Sequence, residues 1–105
     1  MNTVVVDDFQ AVKDPLDVID LSISYATLLA RSSPADQINT SAWALSADSP
    51  AGLTIDSDSV QSNNIAVVWI SAGGALQVKH KLVNHIVTVG GREYDRTITV
   101  TMQDK

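Results

Sequence analysis

The chain has 105 residues, 45% of them hydrophobic and 18% charged, and a formal net charge of −5, the size and balance of one globular domain with a core of its own and no room for a second. It contains no cysteine, which excludes a disulfide framework and thiolate-held zinc or iron–sulfur sites, so packing and strand pairing must hold the fold. The acidic balance argues against nucleic acid as a partner, since phosphate binding needs a positive field, and no run approaches the roughly 20 apolar residues of a membrane span.

Val, Ile, Thr and Ser prevail where a helical protein would be rich in Leu, Glu and Lys, so an all-β chain is expected. The opening MNTVVVDDFQ has a short apolar run with no basic residue ahead of it, unlike a secretory signal, and the cytoplasm of whatever cell makes the protein, or a particle assembled there, is the expected location. Residues 1–13 read as an N-terminal arm and first strand, and residues 14–105 as a single sandwich domain. Within the arm, residues 3–6 (TVVV) suit a short edge strand, Asp7 and Asp8 a solubilising edge, and residues 9–13 a first true strand that Asp14-Pro15 stops.

Residues 18–24 (VIDLSIS) alternate, with Ile19, Leu21 and Ile23 on one face, as in a half-buried strand. Tyr25, Leu28 and Leu29 then fall at helical spacing, which predicts a single helical turn covering one end of the core. After the loop of residues 32–36, Trp43 and Leu45 alternate with Ala42 and Ala44 on a strand with one large aromatic anchor. Leu53 and Ile55 predict a short strand broken by Ser57-Asp58-Ser59. Residues 65–70 form the next strand, with Ile65, Val67 and Trp69 on one face, and Gly73-Gly74 closes it.

Residues 76–102 carry the strongest pattern: two alternating runs joined at Gly90-Gly91, a glycine pair suited to the positive φ values of a tight hairpin. In the second arm Tyr94, Arg96, Ile98, Val100 and Met102 share the apolar face, while Glu93, Asp95, Thr97, Thr99 and Thr101 share the other. The first arm is apolar on both sides, as a strand covered on both faces would be. Its Asn84 lies among apolar neighbours and must find hydrogen-bond partners. About seven strands with closely spaced turns make an immunoglobulin-like β-sandwich, with a small barrel as the second choice.

Catalytic motifs are missing. His80 and His85 are five residues apart on one strand and point to opposite faces, so they do not share a metal. Asp56-Ser57-Asp58 opens like a calcium loop, but Gln61 and Val67 stand where an EF-hand needs Gly and Glu. No nucleophile elbow, phosphate loop or zincin helix occurs, so no enzyme activity, metal or cofactor is expected. Nine of the twelve acidic residues lie in the first 58 positions, against Lys13 and Arg31 alone, which makes a bipolar surface one reading of the charge pattern.

In order along the chain, Asp14-Pro15, Trp43, Gly52-Leu53, Trp69, Gly91-Arg92 and the run Arg96, Ile98, Val100 occupy places that resemble those of small immunoglobulin-like structural proteins of tailed bacteriophages. That resemblance spans roughly residues 14–102 and implies a virion component without catalysis: an adaptor in the head–tail or tail-fibre region. Its partners would be other virion proteins (tail, head–tail connector or fibre), met in multiple copies of a symmetric assembly, with neither nucleic acid nor membrane. Asp7, Asp8, Phe9, Tyr25, Arg92, Tyr94 and Arg96 are the candidate partner-binding residues. A capsid decoration protein, or a carbohydrate- or ligand-binding sandwich using Trp69, Tyr94 or the residue 56–58 loop, is the alternative.

Overall fold

A computed structural model describes residues 8–47 and 49–104; the expected strand at residues 3–6 and the candidate Asp7 lie outside that range. Seven strands and one helical turn follow in the order β1 (Asp8–Lys13), β2 (Ile19–Ser24), α1 (Ala26–Leu29), β3 (Ile38–Leu45), β4 (Leu53–Gln61), β5 (Ile65–Ala72), β6 (Lys79–Thr88) and β7 (Glu93–Met102). They make a four-stranded sheet of order β1-β7-β6-β3 and a three-stranded sheet of order β2-β5-β4. This is the immunoglobulin-like sandwich the strand count predicted, with the first strand pairing in parallel with the last, β7.

Alternation decides which side chains meet between the sheets. Ile23 on β2, Leu53 on β4 and Ala66, Val68 and Ile70 on β5 face Trp43 on β3, Leu82 and Ile86 on β6 and Ile98, Val100 and Met102 on β7. Trp43 is the buried aromatic anchor expected on the third strand, although its Nε1–H meets no acceptor among the described residues. The helical spacing of Tyr25, Leu28 and Leu29 does produce a turn, α1, which lays the buried Tyr25 and Leu29 over one end of the core. Ile65, Val67 and Trp69 share the outward face of β5, opposite Ser24, Ser22 and Asp20 of β2, and Trp69 is exposed.

Three expectations need correction. The strand begun by Leu53 does not break at Ser57-Asp58-Ser59; it continues to Gln61 through a bulge between Ile55 and Ser57. Pairing with the strongly apolar β5 supplies the ladder that the polar residues alone do not signal, and the bulge absorbs the extra residue. Asp56 and Asp58 therefore sit on a strand rather than in a loop, with Asp56 accepting a hydrogen bond from Ser71. The first hairpin arm begins at Lys79, leaving Leu76 exposed before it. Finally, β6 is central in its sheet but covered on one face only: His80, Leu82, Asn84, Ile86 and Thr88 are buried, while Val83 and Val87 are half-buried on the outer face. Neighbouring strands flank those valines, and among the described residues no third layer lies over them.

Two buried polar groups join the sheets at the end opposite α1. Lys13, 1% exposed, closes β1 and donates to the carbonyls of Asp14 and of Ala72, the last residue of β5. Burial holds its ammonium pKa below the usual lysine value, against the pull of Asp17, Asp14 and Asp56 nearby. His80 is fully buried; its Nε2 donates to the Gly73 carbonyl at 2.7 Å, and Nδ1 lies 3.2 Å from the Pro50 carbonyl. His85 points the other way, as its place on the strand required, and bridges the exposed carboxylates of Asp95 and Glu93.

Candidate partner-binding surface

The end of the sandwich around α1 collects most of the candidate residues. Tyr25 follows β2, and its backbone N–H donates to the Asn64 carbonyl in the β4–β5 turn, which fixes where the ring enters the core. Its hydroxyl donates to Asn84 Oδ1 at 2.8 Å, and the Asn84 amide donates in turn to Ser41 Oγ at 2.9 Å and the Ala42 carbonyl at 3.1 Å. The buried asparagine thus has the partners its position demanded, Tyr25 just before α1 and two neighbouring residues of β3. Arg96 lies directly opposite Asn84 across the β6–β7 ladder. Its guanidinium carbon sits 5.9 Å from the centre of the Tyr25 ring and 5.8 Å from that of Tyr94, a cation held between two aromatic faces. Nη1 also donates to the Asp95 carbonyl, and Arg96 makes further contacts besides.

Phe9, at the start of edge strand β1, joins this group from the side. Phe9, Ile23 and Leu28 with Arg31 and Arg96 line a notch of about 180 Å³ that no acidic residue enters among the described residues. Tyr25, Tyr94, Arg96 and Phe9 are therefore brought together. Tyr25, only 2% exposed, has almost no surface to present, and its ring lies against Arg96. Asp8 pairs by backbone register with Thr97 beside them. Arg31 was missed by the sequence reading of the site; as one of only two basic residues in the acidic first half, it had a signal.

Arg92 does not join them. It stands at the tip of the β6–β7 hairpin, where Nη1 donates to Asp36 Oδ2 at 2.9 Å, while the Gly90 N–H donates to Asp36 Oδ1 at 2.9 Å. Asp36 also accepts from the Gln37 N–H, and Val89 N–H donates to the Gln37 carbonyl, so the loop before β3 is clamped to the hairpin. A Cβ on Gly90 would lie 2.6 Å from Arg92 Nη1 and 3.0 Å from Asp36 Oδ2, so a side chain there would push the flexible end of Arg92 aside. Of the glycine pair, only Gly91 takes the positive φ expected of the turn. Asp36 is held at a pKa of about 2, mainly by the Thr88 hydroxyl and, against some desolvation, by the Gly90 and Gln37 amides and Arg92.

The clamp has a pH signature. Because the folded pKa of Asp36 lies below the 3.8 of a free aspartate, its stabilisation is complete above that value and is lost as pH falls through about 2. A carboxyl-carbon NMR titration should find Asp36 near 2, and Thr88→Val should raise it more than Arg92→Met does. An unshifted Asp36 would remove the clamp. His85 runs in the opposite sense: hydrogen bonding first to Asp95, and then the nearby Glu93, raises its pKa above 6.5. Its contribution is present below that value and fades as pH rises through the raised folded value. Asp95→Asn should therefore lower the His85 NMR midpoint more than Glu93→Gln, and equal effects would contradict the assignment.

Comparison with curated proteins finds no match. The family model described as Gp77, Podophage GP4 fiber-tail adaptor protein gp77, matches residues 13–101. Those residues run from the last position of β1 to the penultimate one of β7 and include β2 to β6, nearly all of β7, α1, the tyrosine–arginine cluster and the Asp36 clamp. A match that takes in nearly the whole sandwich settles the relationship, and the chain belongs to the family of podophage fibre–tail adaptor proteins.

Proposed function

We propose that this sandwich is a non-catalytic structural part of a tailed-phage virion that joins fibre to tail, made in the host cytoplasm and present in several symmetry-related copies. The observation that carries this reading is the extent of the family match, which covers the folded unit rather than a fragment of it. An adaptor must offer two surfaces. In this chain the notch with Arg31 and Arg96 lies at the α1 end, and Asp14, Asp17 and Asp56 gather around Lys13 at the other. Repetition around a symmetric tail multiplies contacts that are weak one by one.

The test is a particle lacking this protein. Virions assembled from a genome with the gene deleted should carry tails without fibres, and purified protein added with fibres should restore them. Deleted particles that keep a full set of fibres would overturn the reading.

A further inference from the structure

Trp69 lies on β5, the central strand of the three-stranded sheet, yet on its outer face and 43% exposed. Asp20 of β2 pairs with it on one side and Ser57 of β4 on the other, both exposed. Paired residues of adjacent strands share a face, so a carboxylate and a hydroxyl flank the indole. Farther along β5, Ser71 donates to Asp56 Oδ1 at 3.1 Å, which brings a second carboxylate to this face. Ser22 and Ser59 continue the flanking columns beside Val67, itself only 4% exposed. One large exposed aromatic ring is thus set among short hydrogen-bonding side chains. β2, β4 and β5 contain no Lys or Arg.

Those neighbours narrow what can lie on the ring. Protein interfaces favour aromatic, Met and Arg side chains and are depleted in Ser and Asp. A nucleic-acid base would stack on the indole, but its phosphates need a cationic groove and would meet two aspartates here. A sugar satisfies both halves of the surface. The face of a pyranose that carries only C–H groups is apolar and slightly positive, and it suits the negative face of an aromatic ring. Its hydroxyls project from the ring edge. Strands about 4.8 Å apart set Asp20 and Ser57 on either side of that edge, where both accept hydrogen bonds. Two carboxylates without a cation on these strands repel uronic and sialic acids, which leaves neutral hexoses.

We propose that the Trp69 face binds a neutral hexose unit of a polysaccharide, with the sugar ring stacked on the indole and its hydroxyls held by Asp20 and Ser57. One such contact is weak, and several copies on one particle would act together. The site is additional to the fibre–tail contacts and does not depend on them.

The experiment titrates the isotope-labelled full chain with neutral hexasaccharides of glucose, N-acetylglucosamine, mannose and galactose, and with hexagalacturonate as the acidic control. The NMR signals of the two indole N–H groups are the readout, and Trp69→Ala assigns them. At least one neutral oligomer should move the Trp69 signal saturably at up to about 10 mM while buried Trp43 stays still. Backbone signals of β2 and β4 should follow in the wild type and not in Trp69→Ala. Asp20→Ala should weaken binding about tenfold, and Trp69→Phe should keep part of it. Thermal melting first checks that each variant folds, and Asp20→Ala with Trp69→Phe decides the matter if Trp69→Ala does not. Silence toward every neutral oligomer, or an unchanged response in the variants, overturns the inference. Equal binding of hexagalacturonate overturns the neutral class. Trp69→Ala, added with fibres to particles assembled without the protein, should restore as many fibres as the wild type. Loss of fibres there would make the face a protein contact and defeat the sugar site while leaving the adaptor reading intact. Failure of the wild type to restore fibres would defeat the adaptor reading alone.

Discussion

Replacing Asn84 with alanine is expected to cost about 3 kcal/mol, a fall in Tm of roughly 12–20 °C, because it takes the 2.8 Å acceptor from the Tyr25 hydroxyl and opens a hole in a fully buried site. Leucine in its place fills the hole but still removes the acceptor 2.8 Å from that hydroxyl. The informative variant is therefore the double one, Tyr25→Phe with Asn84→Leu. When both partners of a buried hydrogen bond become apolar the loss is far smaller than when one does. Urea unfolding should show the double variant well above the sum of its two single losses, with the slope unchanged. Strict additivity would mean that the 2.8 Å contact contributes nothing to stability. Since Tyr25 also carries Arg96, the Asn84 variants should loosen the notch as well as the core.

Gly73→Ala is the second large effect, again about 3 kcal/mol. Gly73 has a φ of +139°, where side chains are rarely tolerated. Its new Cβ would land on Met102 Sδ and lie 3.0 Å from Cε, in a side chain that is itself fully buried. The Gly73 carbonyl is also the acceptor for His80, so a shift of this turn disturbs the polar bridge beneath it. Trimming Met102 to alanine in the same chain removes the collision but not the backbone strain. Starting from Met102→Ala, the further cost of Gly73→Ala should thus shrink without vanishing. An unchanged melting temperature for Gly73→Ala alone would contradict this account of the turn.

Much of the fold was legible because its pattern is local. The alternation of the β6–β7 hairpin, the buried Trp43 and the helical spacing of Tyr25 and Leu29 each follow from a few consecutive residues. What escaped depends on remote partners. β4 runs on through Ser57-Asp58-Ser59 because β5 offers a ladder, and β1 joins β7 in parallel across most of the chain. Lys13 and His80 look like surface residues by type, yet carbonyls of distant turns make their burial tolerable. The surface was legible in the same proportion. The alternation that set Tyr94 and Arg96 on one face led to the cluster, whereas Arg31 comes beside Arg96, and Asp36 beside the hairpin tip, only when segments remote in sequence meet.

The central claim, that this sandwich is a tail-fibre adaptor, is tested most directly by its copy number in purified virions of its source, measured by quantitative mass spectrometry against the tail and capsid proteins. The account predicts a small fixed number per particle in simple proportion to the tail and fibre proteins. Abundance matching the capsid shell would make it a decoration protein, and absence from the particle would contradict the account outright.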